Sequence, residues 1–186
     1  MRRMLDLIYS AALVASAAAL VAIAGLVAFQ VAGRILDRAI LWAGGEALGL
    51  AVPSLAEIGG FLFVAAVFLA LPATLRQGGH VRVTMLANAL PGGLARVLTL
   101  LVLAGALALA LFAAWHSWLQ ALDSRQFNSV SFGMIPIPLW LPQGAMTLGL
   151  GIFALALLDE LVTALGGREP AFRHAEARRS LDEGGH

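Results

Sequence analysis

Four stretches of this chain carry no charged side chain at all: residues 7–33, 58–75, 97–122 and 139–158. The shortest, 58–75, has 18 residues, and as a helix rising ~1.5 Å per residue it covers ~27 Å, close to the hydrocarbon thickness of a bilayer. In hydrocarbon a helix has the advantage that each backbone group finds its partner within the same segment. The expected fold is therefore an all-α integral membrane protein with four transmembrane helices. Of the 186 residues 60% are hydrophobic and only 12% charged, so no soluble domain of useful size is left over. We expect one four-helix membrane domain over residues 1–165 and a polar, charge-mixed cytoplasmic tail over 166–186. The first apolar run, at 27 residues, is too long for the core of a signal peptide and reads as an uncleaved first span.

The arginines give the orientation. All 12 basic residues are Arg and none is Lys. With both termini inside, nine of them (Arg2, Arg3, Arg76, Arg82, Arg96, Arg168, Arg173, Arg178 and Arg179) face the cytoplasm and three (Arg34, Arg38 and Arg125) face outward, as the positive-inside rule requires. Trp42, Trp115, Trp118 and Trp140 all fall near the outer ends of spans, where an aromatic belt belongs, and Tyr9 falls at the inner side.

The connections carry the remaining detail. Between spans one and two, Arg34, Asp37 and Arg38 lie on one helical face and Leu36, Ala39, Ile40 and Ala43 on another. That pattern suits a short interfacial helix, ended by Gly44 and Gly45. Pro53, Ser54 and Glu57 have the spacing of a capping box opening span two, and Pro72 should loosen its last turn. Arg76, His80 and Arg82 follow with no acid among them, and Pro91, Gly92 and Gly93 break the chain before span three. Pro136, Pro138 and Pro142 prevent a continuous helix between spans three and four. With Trp140 they shape the return of the chain into the membrane. Ala-rich span one, with Gly25, and span four, with Gly144, Gly149 and Gly151, offer small-residue faces for close helix packing. Span four ends at Asp159 and Glu160, acids that a helix C-terminus disfavours.

Little here can carry chemistry. The spans contain no Asp, Glu or Arg, and their single histidine, His116, sits near the outer edge. Carriers of ions and anions place such groups, or broken helices, near the midplane. His80, in an inner loop, and His116, near the outer surface, are too far apart to share a haem or a metal ion. The absence of cysteine removes thiolate ligands, thiol catalysis and disulfides. No cofactor, phosphate loop, catalytic cluster or nucleic-acid face is legible, so the chain does not read as an enzyme.

An acid opening span two, the turn Leu75-Arg-Gln-Gly-Gly-His-Val-Arg-Val83 and the run Ile135-Pro-Ile-Pro-Leu-Trp-Leu-Pro142 together resemble the small membrane subunit (DctQ type) of tripartite ATP-independent periplasmic, or TRAP, transporters. The likeness extends from Arg34 to Gly149. Two features depart from the pattern: the connection over residues 34–53 is longer than the usual link, and Thr84 stands where an Asp is expected. The resemblance implies a bacterial inner-membrane complex. A periplasmic binding protein (DctP type) captures an organic acid, a large membrane subunit (DctM type) moves it with a sodium gradient, and the small subunit pairs with the large one without catalysing anything. On that reading Glu57, Arg76, His80, Arg82, Pro136, Pro138 and Trp140 are candidate subunit-interface or topology residues, and Arg34, Arg38 and Arg125 are candidates for docking the binding protein. Rival readings are a self-contained homo-oligomeric channel or exporter and a haem-binding redox anchor.

Overall fold

The computed structural model of the chain describes residues 2–77 and 91–166. Among the described residues there are four helices, α1 (Arg2–Trp42), α2 (Leu55–Arg76), α3 (Gly92–Gln126) and α4 (Trp140–Leu165). All four are long and apolar enough to cross a membrane. Each contains one of the charge-free runs except at its edges, with α4 starting one residue later than expected and running on to Leu165.

The helices stand in a row in the order α1, α2, α4, α3. α4 and α2 form the middle, and α1 and α3 flank them. This order explains the burial pattern, because long stretches of α1 and α3 are exposed on the sides that no other helix covers. Along its covered side, the sequestered positions of α1 are Tyr9, Ala12, Ser16, Ala19, Ile23, Leu26, Gln30, Gly33, Asp37 and Ile40. Their steps of three and four residues make a continuous heptad seam of the kind that packs knobs into holes.

Small and hydroxylated residues set the seams. Ser16 Oγ donates to the Ala66 carbonyl at 2.7 Å, tying α1 to α2. Ser117 and Thr147 share a hydrogen bond of 2.8 Å between α3 and α4. A side chain on Gly149 would meet the carbonyl carbon and oxygen of Phe68 at 2.6 Å, so α4 lies directly on the α2 backbone there. Pro72 stands four residues after Phe68 and has no N–H to offer that carbonyl. The place where the α2 hydrogen-bond ladder is interrupted is thus one where α4 lies against the α2 backbone. Gly25, Gly144 and Gly151 face open space, so of the small-residue positions named above, the internal packing uses Gly149.

α1 and α2 can be aligned end to end by their contacts. At one end Arg76 pairs with Asp6, and at the other Gln30 Oε1 accepts a hydrogen bond from Val52 N, at 2.6 Å, just before α2 begins. The part of α1 between them matches the length of α2. The remaining twelve residues, 31–42, reach ~18 Å further at the usual helical rise. Residues 34–42 are helical, as expected, but they continue α1 without a break and form no separate interfacial helix. Residues 43–53 then turn at Gly44 (φ +80°) and run back along this extension. Leu48 N donates to Asp37 Oδ1 at 2.8 Å, and the Leu50 backbone crosses Gly33 so closely that no side chain would fit there. The physical reason for one long helix is that this return segment covers the seam face of α1 beyond the bundle. Trp42, at the end of this extension, is 86% exposed.

Candidate functional site

The end of the row at which α2 begins is closed by the connection between α3 and α4. Asn128 leaves α3 in the left-handed region (φ +50°), which Asn tolerates better than most residues. The chain then pairs with itself across a short turn: Ser131 N donates to the Ile137 carbonyl at 2.9 Å and Leu139 N to the Ser129 carbonyl at 3.0 Å. Pro136 and Pro138 sit in the returning arm, and Val130 bridges antiparallel to Pro138. Pro142 falls in the first turn of α4, where its missing N–H removes no helical bond.

This small hairpin is held by the residues expected to cap α2. Ser54 adopts a left-handed conformation (φ 54°, ψ 26°) and makes no side-chain capping bond. Its hydroxyl instead accepts from Ile135 N at 3.0 Å. Glu57 Oε2 accepts from Ser131 Oγ at 3.2 Å, so the capping box is not formed. The reason is long-range: the hairpin offers donors across the row, and Ser54 is twisted to meet one of them. Ser131 is buried, and its oxygen also accepts from Ile137 N at 3.2 Å. Gly133 lies against the Glu57 carboxylate with no room for a Cβ. Beyond this lock the turn presents Phe132 and Met134, 104% and 85% exposed.

The opposite end is charged. Asp6 pairs with Arg76, whose guanidinium also lies 5.2 Å from the centre of the Tyr9 ring. Tyr9 is buried against this end of the core instead of lying at a lipid-facing rim. Glu160 is buried nearby on α4. Because α4 continues past Asp159 and Glu160, these acids lie inside the helix. Its last carbonyls, Ala164 O and Leu165 O, receive the Arg96 guanidinium at 3.4 and 3.2 Å, a favourable placement of positive charge at a helix C-terminus.

The family model for the DctQ component of tripartite ATP-independent periplasmic transporters matches residues 23–167, which takes in three whole helices and the second half of α1. This chain belongs to the DctQ family. It is accordingly a small membrane component of a TRAP transporter and a multi-pass membrane protein, and the tripartite assembly implies a large membrane partner and a periplasmic binding partner. No curated protein matches the chain.

In this DctQ chain the candidate site residues do not form one cluster. Glu57, Pro136, Pro138 and Trp140 gather at the hairpin end, while Arg76 belongs to the charged end. His80, Arg82, Gly79 and Thr84 lie outside the described residues, as does the tail from residue 167. Arg34 and Arg38 are exposed on α1, whereas Arg125 is on α3 at the other flank of the row, 5.9 Å from the Trp140 ring centre. The three arginines therefore share an end of the molecule but no single patch. His116 is exposed, with its ring 4.3 Å from that of Phe112. Among the described residues, no group of three or more His, Cys, Asp or Glu is arranged to hold a metal ion. Ser131 and Gly133 stand just ahead of the Ile-Pro run and belong to the family resemblance, but the sequence assigns them no structural role. A Ser and a Gly within a Pro-rich connection have no local signature that separates a lock from an ordinary turn.

Proposed function

We propose that this DctQ component is the fixed wall of its transporter. It broadens and steadies the static part of the large membrane component, which takes up an organic acid by coupling to a sodium gradient after the periplasmic component delivers it. The chain would lie in the bacterial inner membrane with both termini cytoplasmic, the orientation favoured by the nine-to-three division of its arginines.

The observation that carries this reading is the lack of charge in the four bilayer-length runs, together with the engagement of the hydroxyls of Ser16 and Ser117 in bonds between helices. A transported anion or sodium ion needs unengaged polar groups near the midplane. The exposed apolar flanks of α1 and α3 suit burial against a larger membrane partner. Glu57, Pro136, Pro138 and Trp140 would bear on that pairing through the hairpin they hold, and Arg76 through the charged end.

The test is reconstitution. Liposomes containing this chain alone should show no uptake, and uptake should need all three components and a sodium gradient. Robust uptake by the chain alone would overturn the reading in favour of a homo-oligomeric channel. In the assembled transporter, Glu57→Gln should lower co-purification with the large component. Unchanged co-purification and uptake would confine Glu57 to holding the hairpin.

A further inference from the structure

We propose that residues 31–53 form a docking arm for the soluble periplasmic component, one whose binding face carries acidic groups around an apolar groove. The proposal rests on the orientation and the three-component reading given above.

Length places the arm. Helix α1 has 41 residues, ~60 Å at the usual rise, against ~30 Å of hydrocarbon. The part shared with α2, from the Asp6–Arg76 pair to the Gln30–Val52 bond, already accounts for a crossing. Residues 31–42 therefore stand outside the bilayer, where a soluble partner can lie against them. The arm is held in place by its own return segment through Asp37–Leu48, Gly33–Leu50 and Gln30–Val52. That pre-organisation lowers the ordering cost of binding.

Chemistry describes the partner. Val31, Arg34, Ile35, Arg38, Leu41 and Trp42 are all exposed. Their spacing puts them on one helical stripe, turned away from the seam that the return segment covers. A helix with anchors at such intervals is recognised by a hydrophobic groove. Trp and Arg are the residues that most often dominate binding energy. Among the described residues Arg34 and Arg38 make no ion pair, and the nearby Asp37 sits on the covered side of the helix with its carboxylate accepting from Leu48 N. They stand four residues apart on the stripe, available to two acids of a partner.

The chain has no cysteine, so Ala39→Cys, at an exposed small residue beside the stripe, gives a unique reporter that leaves the stripe intact. Sealed proteoliposomes containing both membrane components would be treated with a membrane-impermeant maleimide dye. Labelling should be fast from the face to which the binding protein is added. Purified binding protein should slow it saturably by ~10-fold, with protection weakening as salt rises. Replacing Arg34→Gln, Arg38→Gln and Leu41→Ala together should raise the Kd for the binding protein ~10-fold, equivalent to about 1.4 kcal/mol, without changing pairing with the large component. The proposal is overturned if the thiol of the Ala39→Cys variant is unreactive in liposomes of this chain alone, where lipid would be the cover. It is also overturned if reactivity disappears when the large component is added, or if the binding protein gives no protection. Labelling only from the opposite face would instead overturn the orientation itself.

Discussion

Glu57 and Gly133 are coupled through a carbon atom that is not there. A Cβ at position 133 would overlap the Glu57 carboxylate, so Gly133→Ala should unseat the hairpin and cost about 1–3 kcal/mol, the range for overpacking a tight contact. In a background of Glu57→Ala the same change should cost less, because the nearest obstruction is gone and only the Ser54 hydroxyl, 2.7 Å from that Cβ, remains. Thermal unfolding in detergent across the four variants measures this, and equal costs in the two backgrounds would show that the two residues do not interact. Gly149 presents the backbone counterpart. Gly149→Ala should destabilise by about 1–3 kcal/mol through contact with the Phe68 backbone. Gly151→Ala, which meets nothing, should be neutral or slightly stabilising. A ranking with position 151 the more sensitive would contradict the close approach of α4 to α2. The sequence showed Gly149 and Gly151 alike as small residues suited to close helix packing. Which of them a neighbour presses against depends on the partner helix and has no local signal.

α1 illustrates what the neighbour of an element does to it. From the residues, 34–43 has the alternation of faces expected of a helix lying flat at a membrane surface, but the structure divides the faces differently: Asp37 joins Ile40 on the covered seam, while Leu36, Ala39 and Ala43 of the apolar face are exposed. What the pattern could not give was the identity of the cover, which is the chain's own return segment. Once that segment supplies Leu48, Leu50 and Val52 to the seam, the helix has no reason to break at the membrane edge. Asp37→Ala should therefore free the return segment while leaving the bundle intact. Hydrogen exchange should rise at residues 44–50 with no change in α2 or α4, and an unchanged exchange pattern would mean the Asp37–Leu48 bond holds nothing. The α2 start shows the same logic, since a local capping pattern yields to donors brought from the distant hairpin.

For the whole molecule, the row order has a consequence for how stability is distributed. The α1–α2 seam and the α3–α4 seam lie on opposite flanks and share no residue. Ser16→Ala and Ser117→Ala should each cost about 0.6 kcal/mol, typical of hydrogen bonds between membrane helices. Their combination should equal the sum of the two, as expected for distant sites. Measured coupling above ~0.5 kcal/mol would argue for a closed bundle instead of a row. The ion pair between Asp6 and Arg76 is part-exposed, and pairs of that kind contribute little. Its interest lies in fixing the register of α1 on α2.

By itself the sequence determined the number of helices, their approximate limits, the breaks between them, the family resemblance and the asymmetry of the arginines. These follow from length, hydropathy and charge read along the chain, properties a segment has before it meets any other. Only the tertiary structure decided that α2 and α4 stand in the middle of a row, that α1 runs past the bundle as an arm, and that Ser54 and Glu57 hold a hairpin instead of capping a helix. Each of those outcomes turns on which of several competing hydrogen-bond and packing partners arrives within reach. That is settled by residues dozens of positions away, such as Ser131 and Ile135 for α2, and by the free energy of leaving a buried polar group without a partner.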